Sequence, residues 1–162
     1  MSDDDQRSDD DLDRELIELL NELRVVLPGV QVLFAFLLTV PFTNRFQRIT
    51  ETQEQIFFGT FLLTMVSTGL LIAPSAYHRL RWRQHDKERM LRTSNRLAIT
   101  GMAFLALALS GAVWLVTDLT FDSGAAVGLV TAATAAFLFW FWYGLPLTRR
   151  IQDPEDSPFR GS

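Results

Sequence analysis

Six side chains have the types to act together on a ligand, provided the fold brings them to one level: Gln31, Tyr77, His78, Arg79, Asn95 and Arg96. Amides supply donors and acceptors, a phenol adds a hydroxyl, and each guanidinium offers a planar fork matched to phosphate or carboxylate. That set suits an anionic ligand or a lipid headgroup. His78, whose reference pKa lies close to neutrality, suits a proton-sensitive switch. The plainer reading is that Arg79 and Arg96, with Arg81, Arg83 and Arg92, are topology determinants at the phospholipid headgroups. The chain contains no cysteine, which excludes disulfides, thiol catalysis and cysteine-held metal. A lone His flanked by Tyr and Arg makes no metal site, and the sequence holds no glycine-rich phosphate loop, zinc-spaced ligand set or nucleic-acid module. The expectation is a non-enzymatic protein with no catalytic, cofactor or metal residues.

The elements that must position these residues are read from where charge is missing. The chain has 162 residues, 48% of them hydrophobic, and Asp, Glu, Lys and Arg are absent from 25–44, 55–78, 97–117 and 123–148. Each stretch is close to or beyond the roughly 20 residues that a helix needs to cross a hydrocarbon core of about 30 Å. A soluble enzyme domain and a disulfide-stapled secreted fold are thereby excluded. The spans are placed at 26–42, 56–76, 97–117 and 124–145, with Pro28, Pro41, Pro74 and Pro146 marking four of the eight ends. Connections this short make neighbouring spans run antiparallel. The fold class is an all-α membrane protein, an antiparallel four-helix transmembrane bundle over residues 28–146, with an N-terminal amphipathic cytoplasmic helix.

Orientation follows from the cations. With both termini inside, thirteen Lys and Arg lie on the inner side and two, Arg45 and Arg48, on the outer. The positive-inside rule then predicts a multi-pass protein of the inner cell membrane with both termini cytoplasmic. The starts of spans one and three and the end of span two share the cytoplasmic face, where the six polar residues would meet. The basic connection 79–96 is expected to attract anionic headgroups of membrane lipids. Trp114 near the outer end, and Trp82, Trp140, Trp142 and Tyr143 near the inner end, sit where amphipathic rings settle.

Within the spans there is no Asp, Glu, Lys, Arg or His. Proton and ion carriers place such groups at membrane depth, so carboxylate-coupled exchange by this chain alone is disfavoured. Helix packing has a clearer signature: Gly124, Gly128, Ala132 and Ala136 form a smooth ridge along span four. Two readings stand for it, packing within one bundle and a homo-oligomer through span four. Gly69 and Ala73 in span two, and Ala108 and Ala112 in span three, are further small pairs.

Residues 1–24 carry ten acids against three arginines. Residues 1–11, polar and without aromatics, are expected to be a disordered acidic arm. Over 12–27, Leu12, Leu16, Leu19, Leu20, Leu23 and Leu27 share one helical face, with Asp11 as N-cap and Pro28-Gly29 separating this helix from span one. The helix is read as lying in the inner interface or under the bundle, or as a dock for a cytoplasmic protein partner. Residues 147–162 are read as a flexible cytoplasmic tail. No basic start with a short apolar core and cleavage site precedes span one, so that span is expected to target the chain itself.

The strings RVVLPGVQVLFAFLLTVPF (Arg24–Phe42), LLIAPSAYHR (Leu70–Arg79) and NRLAI (Asn95–Ile99) resemble those of an uncharacterised prokaryotic membrane family, domain of unknown function 6328. The resemblance covers about residues 12–145. It implies a small four-helix membrane protein and carries over no catalytic residue. Three functions remain open: a structural or interaction subunit; a small, oligomeric ion or solute transporter, proton-coupled in one version; and a membrane lipid or pH sensor.

Overall fold

The computed structural model describes residues 3–44, 46–81, 87–121 and 123–144, with side chains at 14–15, 17–44, 46–76, 91–121 and 123–144. Four helices account for nearly all of them: α1 (Asp3–Thr39), α2 (Glu51–Arg81), α3 (Lys87–Thr120) and α4 (Gly124–Phe139), the last running on into a widened π turn, Trp140–Gly144. Each is long and apolar enough to cross a membrane, over Ile17–Phe42, Glu51–Ala76, Leu91–Thr120 and Gly124–Gly144. The charge-free stretches thus locate all four helices. The tail 147–162 lies outside the described residues.

Two expectations about α1 change. The helix starts at Asp3, through the stretch expected to be disordered and past Asp11, the expected cap. Its first turns carry Asp3, Asp4 and Asp5, negative charge at the end where the peptide dipoles favour it. Nor does Pro28 separate two helices, since α1 continues through it to Thr39. Proline removes a single backbone bond there, and Leu23 and Val30, buried on either side, hold the helix across the gap. Pro74 behaves alike, internal to α2 and fully buried. Pro41 does end its helix, in a short 3-10 turn, Val40–Phe42.

The core follows a seven-residue rhythm. Buried α2 residues are Phe57, Thr60, Thr64, Ser67, Leu71 and Pro74, spaced alternately three and four apart. On α3 the same spacing links Ser94, Ala98, Gly101, Leu105 and Ala108, and Leu115 lies one heptad beyond Ala108. Leu23, Val30 and Leu37 recur every seven residues along α1. This is the knobs-into-holes pattern of left-handed helix packing. Across the α2–α3 seam, Gly101 faces Leu70 and Leu71, and Gly111 faces the Thr60 hydroxyl so closely that a Cβ has no room. Residues 60 with 111, 67 with 101 and 53 with 118 are partners, so these two helices are antiparallel. Small residues let backbones approach closely where lipid offers no hydrophobic drive.

Helix α1 lies against both α2 and α3, whereas among the described residues α4 has α3 as its only neighbouring helix. Val127 is buried toward α3, with Thr131, Ala135 and Leu138 half-buried along the same helix. Gly124, Gly128, Ala132 and Ala136 are exposed, and nothing stands within 4 Å of the space above either glycine. Among the described residues the ridge therefore takes no part in packing within the chain. The small residues that do are Gly101, Ala108 and Gly111, with the hydroxyl residues opposite them.

Candidate functional site

At the end of the bundle where the first span begins and the second closes, one face of α1 and a late turn of α2 line a cavity of about 370 Å³. Asn21, Arg24, Pro28 and Gln31 line it from α1, three or four residues apart and so on one side of the helix, and Ser75 closes it from α2. Pro28 has no N–H to give the carbonyl four residues back, which belongs to Arg24. A guanidinium, two amides, a hydroxyl and a carbonyl freed from the helix ladder thus share this mouth. It is suited to an anion with donor groups of its own.

The six residues selected from the sequence are not all gathered here. Gln31 lines the cavity; Asn95 and Arg96 are exposed on α3 and do not line it. Tyr77, His78 and Arg79 belong to the last turns of α2, but their side chains, like Trp82, His85 and the rest of the basic connection up to 90, lie outside those described. Asn21 and Arg24 were missed. Their spacing to Pro28 and Gln31 on one helical face was the available signal.

Part of the leucine face of the N-terminal segment packs within the chain, while the side chains of Leu12 and Leu16 lie outside those described. Leu19, Leu23 and Leu27 pack with Val30, Leu71 and Ala98, joined by Trp142 from the π turn. Glu15, Glu18 and Glu22 remain exposed on the other side. Tyr143 donates its hydroxyl hydrogen bond to the Ile99 carbonyl at 2.6 Å, tying the end of the fourth span to α3.

A second polar site, at the opposite end, was not anticipated. Thr50 and Gln53 form a reciprocal capping box at the start of α2: Gln53 N–H donates to Thr50 Oγ1 at 3.3 Å, and Thr50 N–H donates to Gln53 Oε1 at 2.9 Å. With its carbonyl oxygen engaged, the Gln53 amide nitrogen reaches across to α3 and donates to Asp118 Oδ2 at 2.7 Å. Asn44, Arg48, Thr50, Gln53 and Asp118 line a cavity of about 610 Å³. An acidic side chain inside an apolar helix end is costly without a partner, and Gln53 is that partner. The Thr50-Glu51-Thr52-Gln53 string signals the capping box; the link to Asp118 needs the antiparallel register as well.

Residues 5–146 match the model of a family described as a family of unknown function, DUF6328. No curated protein and no solved structure matches the chain.

Proposed function

The chain belongs to DUF6328, a family of unknown function, and on that premise we propose that it is a non-enzymatic subunit of the inner cell membrane that acts by association. Both termini lie in the cytoplasm in this reading, supported by thirteen cations on that side against two outside. The observation that carries the reading is the one-sided seating of α4. One face meets α3, while the smooth ridge from Gly124 to Ala136 is open along its length. A second copy fits such a ridge, because close backbone approach is what drives helix association in lipid.

The buried seam also supports a packing role over a conducting one. Thr64 donates to the Thr60 carbonyl at 2.8 Å and Thr68 to the Thr64 carbonyl at 2.7 Å, while Ser67 bonds across to Gly101. These hydroxyls are committed to protein carbonyls, and Thr60 fills the space over Gly111. The inner cavity with Gln31 and Arg24, beside the basic connection, adds contact with anionic headgroups. A cytoplasmic protein at helix 12–27 would meet the acidic side, since Leu19, Leu23 and Leu27 pack within the chain while Glu15, Glu18 and Glu22 are exposed.

Native mass spectrometry in mild detergent tests the association. Gly128→Leu meets open space in the monomer, so it is expected to abolish the dimer signal with thermal unfolding unchanged. A wild-type chain that stays monomeric at every protein-to-detergent ratio would overturn the reading.

A further inference from the structure

At the outer end, opposite charges face one cavity without neutralising each other. Arg48, on a 3-10 turn (Phe46–Arg48) after α1, and Asp118, on the last turn of α3, both line the 610 Å³ space beside the start of α2. Among the described residues they form no ion pair. Asp118 accepts from the neutral Gln53 amide, which leaves its carboxylate with further acceptor positions unfilled among the described residues. Arg48 is exposed, and among the described residues no carboxylate engages its guanidinium fork.

The level of this cavity narrows the ligand. Three apolar spans end or begin around it, at Phe42, Glu51 and Thr120, which is the depth of phospholipid headgroups. Phe42 and Phe121, 87% and 55% exposed, lie at the same ends. A phospholipid reaching this place brings a phosphate suited to Arg48, and one that satisfies both walls also carries a cationic N–H donor for Asp118.

We propose that this cavity binds a phosphate ester of a primary amine, the phosphate against Arg48 and the ammonium against Asp118, with Asn44 supplying an amide between them. This is the chemistry of a phosphatidylethanolamine headgroup and of its free glycerol ester. A choline headgroup has the same charges but no N–H to give Asp118, so the site discriminates between the two. Assignment to the outer leaflet rests on the topology proposed above; the chemistry of the site does not.

The test is native mass spectrometry of the full chain released from vesicles holding equal phosphatidylethanolamine and phosphatidylcholine. The wild type is expected to retain the ethanolamine lipid about tenfold over the choline lipid, the ratio equivalent to one charge-assisted hydrogen bond. Asp118→Asn keeps an acceptor for Gln53 and removes the charge, so the ratio is expected to fall to about one. Arg48→Gln, at an exposed position, is expected to lower retention of both lipids and leave thermal unfolding unchanged. Displacement by excess glycerophosphoethanolamine assigns the free ester as a sufficient ligand; resistance to it assigns the intact lipid. Equal retention of the two lipids by the wild type, an ethanolamine preference that survives Asp118→Asn, or lipid retention untouched by Arg48→Gln would each overturn the proposal. A failed topology would appear separately, as an inverted pattern of cysteine labelling at the two membrane faces.

Discussion

Ser67 donates its hydroxyl hydrogen bond to the Gly101 carbonyl at 2.8 Å, from the middle of one helix to the backbone of its antiparallel neighbour. The bond is possible because Gly101 presents no side chain and Leu71 fills the space beside it. Ser67→Ala removes only the bond and is expected to lower stability by about 0.6 kcal/mol, the mean for interhelical bonds in membranes. Ser67→Leu adds bulk to a residue with no exposed surface and is expected to cost about 1–3 kcal/mol. Thermal unfolding in detergent would rank the two, and equal effects would argue against a closely packed seam.

Gly111 and Thr60 make the same point by collision. A Cβ at Gly111 would overlap the Thr60 hydroxyl, so Gly111→Ala is expected to destabilise by about 1–3 kcal/mol. Thr60→Ala in the same chain takes the obstructing atom away and should recover most of that loss. Gly69→Ala is the control, because nothing lies within 4 Å of that position and alanine is the better helix former. Additive effects in the Gly111–Thr60 double variant, in place of recovery, would disprove the contact.

Orientation can be measured cleanly, since no native cysteine competes for label. Asn44→Cys, in the connection between α1 and α2, is expected to react with a membrane-impermeant maleimide on intact cells. Ser162→Cys is expected to react only after permeabilisation. The reverse pattern would invert the topology and move the Asp118 cavity to the cytoplasmic leaflet.

Tyr143→Phe cuts the 2.6 Å bond to the Ile99 carbonyl. The expected cost is about 0.5–1.5 kcal/mol, felt at the seat of α4 on α3. Hydrogen exchange should speed up in the last turns of α4 and stay unchanged in α2. Equal acceleration throughout would mean that the tyrosine supports the whole bundle.

Much of the architecture was legible because a missing charge over some 20 residues has one physical meaning, and all four helices were found by it. Pro28 marks no end, since α1 runs through it with Leu23 and Val30 buried on either side, whereas Pro74, though internal to α2, lies two residues before the second span ends at Ala76. The ridge on span four was offered for packing within the bundle or for a homo-oligomer; among the described residues the intrachain contact lies elsewhere. Gly101 and Gly111 are separated by ten residues, without the four-residue repeat that catches the eye. Their role becomes visible only as positions facing the buried residues of α2. Of the polar cluster, Gln31 reaches a cavity with Arg24 and Ser75, whereas Asn95 and Arg96 lie elsewhere on the surface. Asp118 and Gln53 escaped notice because one bounds a charge-free stretch and the other falls in a connection, each unremarkable until the register joins them.

The seating of the fourth span has a bearing on how the molecule is made. Among the described residues α4 has α3 as its one neighbouring helix, while α1, α2 and α3 bury one another and receive Trp142 from the end of the fourth span. In the association proposed above, lipid or another copy's fourth helix would meet the open ridge last, so monomer and assembly would part ways at the final step of biogenesis.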